Sequence, residues 1–395
     1  MEQAEADLLM SPRGAAALEA EAALPGTPDP FARSAALRRA GFSAGETAAL
    51  LTQADLRRRA AGRLGPDAAR LLLTRAGLEQ ATRREVAAEH AARVRAAGFD
   101  DVVDLGCGIG GDALAFAAAG LAVRAVERDP VTAALARHNL APFPGARVEV
   151  GEAETTEAAD GAAVWLDPAR RTAGHSDTRR LRPDDWSPSL DFVAGLLSER
   201  AAGVKLAPGL DHELIPPGVE AQWVSSGREV AELVLWSGGL ARPGTGRAAL
   251  VLGRAGAAEL TGPGPAVDVP PGPLGGVVAE PDGAVIRSGL LGDLARATGS
   301  HPVGPGIAYL TGDAIEASPF LDRFAVEAVL PLDPRLIARE LRARGIGRLE
   351  VKKRGVDLEP AAFRRRLGLK GDGEAVLIAT RTIKRRVALL CRRLR

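Results

Sequence analysis

From Asp101 onward, apolar runs of strand length alternate with segments of helical periodicity. The apolar runs are VVDL, AVRAVE, RVEV, AAVWLD, GVKLA, EAQWVSS, ELVLWSG and AALVLG. Helical segments fall between the first five runs, around residues 111–119, 130–140 and 186–200. Strands separated by helices of this length predict βαβ units and a parallel sheet. The last three runs follow one another with only turn-length gaps, which indicates an antiparallel strand at the end of that sheet.

The chain before this alternation is predicted to be helical after a flexible start. Residues 1–31 hold polar and small residues with several prolines and no clear period, so we expect a flexible N-terminus. Residues 32–99 show helical periodicity and no strand-like run. Thr82 and Glu85 have the spacing of a capping box, which predicts that a helix begins near residue 83.

A Gly- and Pro-rich stretch follows the α/β pattern of residues 100–256. Ten of the twenty residues 257–276 are Gly or Pro, so we expect a linker there. Residues 277–395 read as a mixed α+β region. Its predicted elements are a hairpin at Pro-Asp-Gly of VVAEPDGAVIRSG, a helix from Asp333-Pro334, a strand at LEVKK, a helix at EPAAFRRRL and a terminal hairpin in EAVLIATRTIKRRVALLCRRL.

The composition excludes several classes of protein. Apolar residues make up 46% and charged residues 26% of the 395 residues, as in globular proteins. No apolar run approaches the about 18 residues that a membrane span needs. The two cysteines and five histidines lack the spacing of a metal site or a disulfide framework. We therefore expect a cytoplasmic protein with neither a membrane nor a metal partner.

Basic residues are concentrated at the C-terminal end. Residues 331–395 contain 19 Lys and Arg against 7 Asp and Glu, a net charge of +12, which leaves −11 for the rest of the chain. A basic region joined to an acidic one indicates contact with nucleic acid, and the scarcity of aromatic residues favours phosphate contacts over base stacking. The alternative is the solvated surface of an arginine-rich protein. The candidate contacts are Lys352, Lys353, Arg354, Arg364 and Arg365.

The stretch VVDLGCGIGGDALAFAAAG, residues 102–120, predicts a strand, a glycine-rich turn and a helix. Glycines let a backbone approach a ligand closely and turn sharply into a helix. Gly106, Gly108 and Gly110 form G-x-G-x-G, while Gly111 completes the G-x-G-x-x-G of dinucleotide binding. The loop alone therefore fits either a dinucleotide or S-adenosylmethionine.

Asp104, two residues before the loop, distinguishes these ligands. A carboxylate there would repel a pyrophosphate, whereas S-adenosylmethionine carries an ammonium and a sulfonium. Glu127 ends the second strand, where it can accept hydrogen bonds from the ribose of either ligand. Glu152 follows the third strand and could accept from an adenine amino group, with Glu154 as a near alternative. The pattern predicts S-adenosylmethionine as the cofactor.

On these motifs, residues 83–254 resemble class I S-adenosylmethionine-dependent methyltransferases, and within them the RNA guanine-N2, trimethylguanosine-synthase-like branch. Residues 276–395 resemble the THUMP-like domain that follows such enzymes in bacteria, through EPDGAVIRSG, LEVKKRGVDLEP and the terminal VALLCRR. The resemblance implies an α/β fold: a Rossmann-like class I methyltransferase sheet, an N-terminal helical region and a C-terminal mixed α+β THUMP-like domain. It also implies that the basic domain binds RNA.

Amino methyltransferases of this class carry [DNS]-P-P-[YFW] at the end of the fourth strand. This chain has Asp167-Pro168-Ala169-Arg170 there. The resemblance implies that the Asp167 carboxylate and the Pro168 carbonyl accept the hydrogens of an exocyclic amine, which frees its lone pair for the methyl group. Asp167 could also take the proton. Ala169 and Arg170 depart from the motif.

The departures leave the substrate open. Arg170 and Arg171 can stack on a base or bind phosphate, Trp186 could supply the missing ring, and Lys205 at the end of the fifth strand could meet substrate phosphate. We therefore predict methyl transfer to an exocyclic amine of an RNA base. The alternatives are a methyltransferase acting on a protein or a small molecule, and a non-catalytic RNA-binding protein that keeps the fold.

Overall fold

The computed structural model describes residues 1–24, 29–170 and 186–394. The chain divides into two units. Unit 1 is Met1–Leu206, Leu210–Val219 and Val234–Arg242, and unit 2 is Ala207–Gly209, Glu220–Leu233 and Pro243–Arg395. The division differs from the predicted boundary at 257–276, because the strand-like runs near 220 and 250 group with the C-terminal part of the chain.

Helices form the N-terminal part of unit 1, as predicted. They are α1 (Gln3–Met10), α2 (Pro12–Ala22), α3 (Pro30–Arg39), α4 (Ala44–Leu64), α5 (Arg75–Gln80) and α6 (Arg84–Ala96). The expectation of a flexible N-terminus is wrong for residues 3–22. Leu9 and Leu18 are buried in one apolar cluster with Leu50 of α4, and this tertiary burial stabilises helices too short to persist alone.

The rest of unit 1 alternates strands and helices as predicted. The elements are β1 (Asp101–Leu105), α7 (Gly111–Ala118), β2 (Ala122–Glu127), α8 (Pro130–Leu140), β3 (Ala146–Val150), β4 (Ala163–Leu166), β5 (Ala169–Arg170), β6 (Trp186–Ser187), α9 (Leu190–Glu199) and β7 (Ala202–Leu206). Strands β3, β2, β1, β4 and β7 lie in that order, all parallel. Their carboxyl ends share one edge, where open α/β sheets bind ligands.

Two tryptophans pack on the same face of these strands. The rings of Trp165 in β4 and Trp236 have centroids 5.7 Å apart, and both side chains are buried. Gly203 in β7 lies against them. A Cβ atom at that position would come within 2.5 Å of Trp236 and 2.8 Å of Trp165. The packing therefore requires glycine there.

We expect Gly203→Ala to lower the free energy of unfolding by about 1–3 kcal/mol, because the added methyl group overpacks the core. Gly195→Ala is the matched control. A Cβ atom at Gly195 in α9 meets nothing within 4 Å, so this change raises the free energy by about 0.5–1 kcal/mol through helix propensity. Urea unfolding of both variants measures the difference, and equal effects at the two positions would contradict the packing.

Unit 2 begins its regular structure with strands. Its elements, including β9 at the division between the units, are β8 (Glu220–Ser226), β9 (Glu229–Trp236), β10 (Arg247–Gly253), β11 (Gly256–Gly262), β12 (Val277–Pro281), α10 (Gly283–Ser288), α11 (Leu291–Ala297), β13 (His301–Pro302), β14 (Leu310–Gly312), β15 (Leu321–Pro331), α12 (Pro334–Ala343), β16 (Ile346–Arg354), α13 (Pro360–Leu367), β17 (Gly373–Arg381) and β18 (Arg386–Arg393). β8 pairs parallel with β10. The C-terminal strands form a sheet in the order β13-β14-β12-β15-β18-β17-β16.

Two predictions for this region are wrong. The first residues of the predicted linker, 257–262, belong to β11, which pairs antiparallel with β10. The predicted hairpin at Pro-Asp-Gly is a strand-to-helix junction, because the Asp282 side chain accepts a hydrogen bond from the Ala284 N–H and caps α10. The helices at 334 and 360, the strand around 350 and the terminal hairpin are found as predicted.

Candidate active site

The glycine-rich turn leads from β1 into α7. Gly106, Gly108 and Gly110 have φ angles of +77°, +56° and +88°, which residues other than glycine adopt only at a cost in conformational energy. The N–H groups of residues 106 and 107 both donate to the Val126 carbonyl, at 2.8 and 3.0 Å, and so fix the turn to β2. At Gly111 a Cβ atom would lie 3.9 Å from the Thr82 nitrogen.

Glu127 lies beside this turn at the end of β2. Its carboxylate accepts hydrogen bonds from the N–H of Gly108 and the N–H of Asp129, both at 3.0 Å. A carboxylate has about four acceptor sites, so Glu127 retains capacity for ribose hydroxyls. Glu152 is exposed and follows Gly151, whose N–H donates to the Glu127 carbonyl at 3.1 Å. The adenine contact of Glu152 stays a prediction.

Asp104 is the buried carboxyl group of the site. Its side chain is 2% exposed, and its Oδ2 has no hydrogen-bond partner among the described residues. Burial, and then the charges of Asp112 and Asp167, raise the pKa of Asp104 well above its ordinary range. A buried polar atom without a partner is costly. A cationic ligand would relieve that cost and a pyrophosphate would increase it, so the residues fit S-adenosylmethionine.

Asp167 stands at the carboxyl end of β4, close to the glycine turn. A Cβ atom on Gly106 would lie 3.9 Å from the Asp167 carbonyl oxygen. The Asp167 carboxylate is 31% exposed and forms an ion pair with Lys205 Nζ at the end of β7. Lys205 is 13% exposed and also donates to Thr82 Oγ1 at 3.0 Å. The sequence offered Lys205 as a candidate contact for substrate phosphate; in the structure its ammonium contacts Asp167 and Thr82.

A buried group of polar side chains that the sequence did not predict lies behind Lys205. Thr82 Oγ1 donates to Asp112 Oδ2 at 2.8 Å, and His90 Nδ1 lies 2.9 Å from Asp112 Oδ1. Burial raises the pKa of Asp112, but the hydrogen bonds and charges of His90, Lys205 and Thr82 outweigh it, so that pKa lies below its ordinary value. Asp112 stays ionised and accepts from both neighbours.

The predicted capping box at Thr82 and Glu85 is wrong, because Thr82 contacts Asp112 instead. The Thr82 hydroxyl is directed to Asp112, and α6 begins after Arg83, which makes no side-chain cap hydrogen bond. Thr82 thus serves the site rather than the helix terminus. Its position directly before a helix concealed this, although Asp112 next to Gly111 was a visible signal of a polar group at the glycine turn.

The departures from the D-P-P-aromatic motif lie in a short β ribbon. Arg170 in β5 is the antiparallel register partner of Trp186 in β6, so the two predicted substrate residues are adjacent along the backbone ladder. Arg171 lies outside the described residues. Pro168, between the catalytic candidate Asp167 and this ribbon, is buried.

The basic residues of unit 2 separate into two groups. Lys352 Nζ pairs with Glu280 at 2.6 Å and Glu350 at 3.2 Å, which neutralise its charge, and its RNA contact stays a prediction. Arg354 lies with its guanidinium 5.5 Å from the centre of the Tyr309 ring. Alternation along β16 turns neighbouring side chains to opposite faces. The exposed candidates are Lys353, Arg364 and Arg365.

Residues 1–24, 29–170 and 186–394 contain no group of three or more His, Cys, Asp or Glu side chains arranged to hold a metal ion. No helix among them is both long and apolar enough to cross a bilayer. Burial raises the pKa of the Cys107 thiol well above its ordinary value, so this cysteine of the glycine turn stays protonated.

Comparison with known proteins identifies the enzyme class. A Mycobacterium tuberculosis protein (strain CDC 1551 / Oshkosh), named an uncharacterized S-adenosylmethionine-dependent methyltransferase, is 36% identical over 337 residues, or 82% of this chain and 90% of that protein. A protein of strain ATCC 25618 / H37Rv with the same description matches to the same extent. The chain belongs to the S-adenosylmethionine-dependent methyltransferases. S-adenosylmethionine is therefore the cofactor of this methyltransferase, as predicted.

Further matches cover both ends of the methyltransferase. Residues 321–393 match the family described as THUMP domain-like, which confirms the predicted THUMP-like domain. Residues 2–60 match a domain of unknown function (DUF8688). The crystal structure of a proposed methyltransferase from Porphyromonas gingivalis W83 superimposes with a TM-score of 0.73 and 22% identity, covering 100% of both chains. The fold is thus shared along the whole chain.

Proposed function

We propose that the methyltransferase transfers the methyl group of S-adenosylmethionine to an exocyclic amine of an RNA base, of the guanine-N2 type. The observation that carries this proposal is the Asp167 carboxylate. It is partly exposed at the carboxyl end of β4, is ion-paired with Lys205, and follows directly on a strand that adjoins the glycine turn. A partly exposed carboxylate beside the glycine turn can accept hydrogen bonds from an exocyclic amine and so leave the lone pair of its nitrogen free to attack.

S-adenosylmethionine, when bound, supplies an electrophilic methyl group on a sulfonium. Asp104 would balance its positive charge, the glycine turn would let the main chain approach it closely, and Glu127 would accept hydrogen bonds from its ribose hydroxyls. Asp167 and the Pro168 carbonyl would accept the two amine hydrogens and so orient the lone pair. The Asp167 carboxylate would lie beside the nitrogen as methylation makes it positively charged, and it would take the released proton or leave it to water.

RNA is the proposed substrate because unit 2 supplies a THUMP-like domain and a cluster of exposed basic side chains. Residues 331–395 carry a net charge of +12. Arg364 and Arg365 are exposed at the end of α13. Basic side chains without base-stacking neighbours bind phosphates and supply affinity that falls with salt.

We expect the double variant Arg364→Gln/Arg365→Gln to weaken RNA binding and to flatten its salt dependence. Each lost phosphate contact lowers the slope of log affinity against log salt by about 1. The control is Arg344→Gln/Arg348→Gln, which removes the same charge from arginines that ion-pair with Glu327, Glu340 and Glu374. Filter binding over a salt series measures both, and equal slopes in the two variants would contradict the contact.

The substrate class is tested with labelled S-adenosylmethionine and an extract from a strain that lacks this protein. Label is counted separately in the RNA, protein and small-molecule fractions. We expect label in RNA with the native protein and a far lower rate of labelling with Asp167→Ala. Label in the protein or small-molecule fraction would replace the RNA proposal. Cofactor binding without label in any fraction would favour a binding protein that has lost turnover.

A further inference from the structure

We propose that Lys205 is the positioning residue for Asp167, and that Thr82, Asp112 and His90 form a buried chain of hydrogen bonds that fixes Lys205. The inference rests on the proposed function, because it assigns Asp167 the contact with the acceptor amine. Lys205 acts through Asp167.

The chain joins three elements of unit 1, which are β7, α6 and α7. Lys205 at the end of β7 pairs with Asp167 and donates to Thr82 at 3.0 Å. Thr82, just before α6, donates to Asp112 in the first turn of α7 at 2.8 Å. Asp112 in turn lies 2.9 Å from His90 of α6. Lys205 is thus tied to α6 and to α7, the helix that follows the glycine turn.

The chain closes on the strand that carries the proposed acceptor. The His90 ring packs against Trp165, with ring centroids 4.4 Å apart, and Trp165 lies two residues before Asp167 along β4. His90 and Trp165 are each 1% exposed. The contacts therefore form a closed ring, which starts at Trp165 in β4, passes through the hydrogen-bonded chain to Lys205 and ends at Asp167 after the same strand. Such a ring restricts the positions of its side chains more than a single ion pair does.

The charges of the site give Lys205 a specific task. Asp167 is 31% exposed, so without a partner its carboxylate could turn to water. The ammonium of Lys205 also lies near Asp104 and Asp112, where its charge opposes the mutual repulsion of the carboxylates. A flexible lysine loses side-chain entropy when it is held. Its contact with Thr82 holds the ammonium where it meets Asp167 and so sets the direction of the acceptor oxygens.

The test compares Lys205→Met with Lys205→Arg, which keeps the positive charge at this position. We expect Lys205→Met to lower kcat by about 10- to 100-fold, the effect of losing a hydrogen bond to a charged group. S-adenosylmethionine affinity stays within about twofold, since Lys205 acts on the acceptor side. Lys205→Arg restores part of kcat. Thr82→Val lowers kcat by about 2- to 10-fold, a smaller loss because Thr82 acts on Asp167 only through Lys205.

Two further readouts separate positioning from a structural role. In an Asp167→Ala background, Lys205→Met has no further effect on kcat, because the residue it positions is gone. Carbon-13 NMR of the Asp167 carboxyl shows a higher pKa in Lys205→Met than in the wild type or in Lys205→Arg, since the neighbouring cation is lost. The Asp167→Ala spectrum assigns the resonance.

The NMR readout needs no acceptor substrate, so it distinguishes this inference from the proposed function. A shifted Asp167 resonance in a protein that methylates no RNA would reject the proposed substrate and support the positioning role. An unchanged Asp167 pKa in folded Lys205→Met, or equal losses of kcat in the wild-type and Asp167→Ala backgrounds, would overturn the inference. Loss of cofactor affinity with unchanged kcat would overturn it as well.

Discussion

Replacing Asp167 with Ala lowers kcat for methyl transfer by about 100- to 1,000-fold, the effect of removing a positioned electrostatic group from a transition state. In the proposed reaction the amine nitrogen gains positive charge as it attacks, and the carboxylate at the end of β4 stabilises that charge while it accepts a hydrogen bond. We expect the affinity for S-adenosylmethionine to stay within about twofold, because the proposal places Asp167 against the acceptor and not against the cofactor. Single-turnover kinetics and calorimetry measure the two quantities.

Asp160→Asn is the matched control for this loss. Asp160 is fully exposed and pairs with Arg200 in the same unit, so its replacement leaves kcat unchanged. Asp167→Asn adds a second comparison, since an amide oxygen still accepts a hydrogen bond but takes no proton. Retained activity in Asp167→Asn assigns Asp167 to orientation, and loss as large as in Asp167→Ala assigns it proton transfer too. Full activity of Asp167→Ala would remove Asp167 from the mechanism.

Replacing Asp104 with Asn weakens S-adenosylmethionine binding by about 10-fold or more, which corresponds to about 1.4 kcal/mol or more of lost binding free energy. The Asp104 carboxylate is buried with an unpartnered Oδ2, and a cationic cofactor is the ligand that this atom suits. An amide of the same shape keeps the packing and removes the charge. Calorimetric titration with S-adenosylmethionine measures the change.

The same substitution stabilises the cofactor-free protein. The folded-state pKa of Asp104 is raised by burial, so the folded protein binds this proton more tightly than the unfolded chain does. Stability therefore falls as the pH rises from the unfolded pKa of about 4 through the raised folded pKa. Asn has no such titration, so Asp104→Asn raises the melting temperature at neutral pH and leaves it nearly unchanged near pH 3.

Asp101→Asn is the control for both effects, because Asp101 is an exposed residue at the start of the same strand. It leaves cofactor affinity and melting temperature unchanged. A gain in stability without a loss of cofactor affinity in Asp104→Asn would mean that Asp104 lies away from the bound cofactor. Loss of stability at neutral pH would contradict the raised pKa.

Local sequence patterns predicted the glycine turn and the acidic residues at the ends of the neighbouring strands. The glycine turn and the acidic residues of β1, β2 and β4 stand in or directly after apolar runs of strand length. Such runs predict buried parallel strands, so they also predict that these residues lie together at the carboxyl ends of the strands. Gly106 to Gly111 therefore lie at the carboxyl ends of parallel strands, as the sequence analysis expected.

Features built from distant segments escaped prediction. The Lys205–Thr82 hydrogen bond joins residues 123 apart, and the Thr82–Asp112 bond joins residues 30 apart. Lys352 and Lys353 are neighbours in a basic run, yet pairing with Glu280, 72 residues away, neutralises one of them. Helices α1 and α2 could not be predicted locally, because they are stabilised by packing against apolar residues of α4. Local sequence carries none of these contacts, because each depends on the fold of the whole unit.

The methylated atom tests the central proposal most directly. RNA from a strain lacking the protein is treated with the methyltransferase and isotopically labelled S-adenosylmethionine, digested to nucleosides and resolved by mass spectrometry. We predict a labelled nucleoside methylated on its exocyclic amine, N2-methylguanosine, that forms far more slowly with Asp167→Ala. A label on a ribose hydroxyl or a ring carbon, or unchanged labelling with Asp167→Ala, would contradict the account.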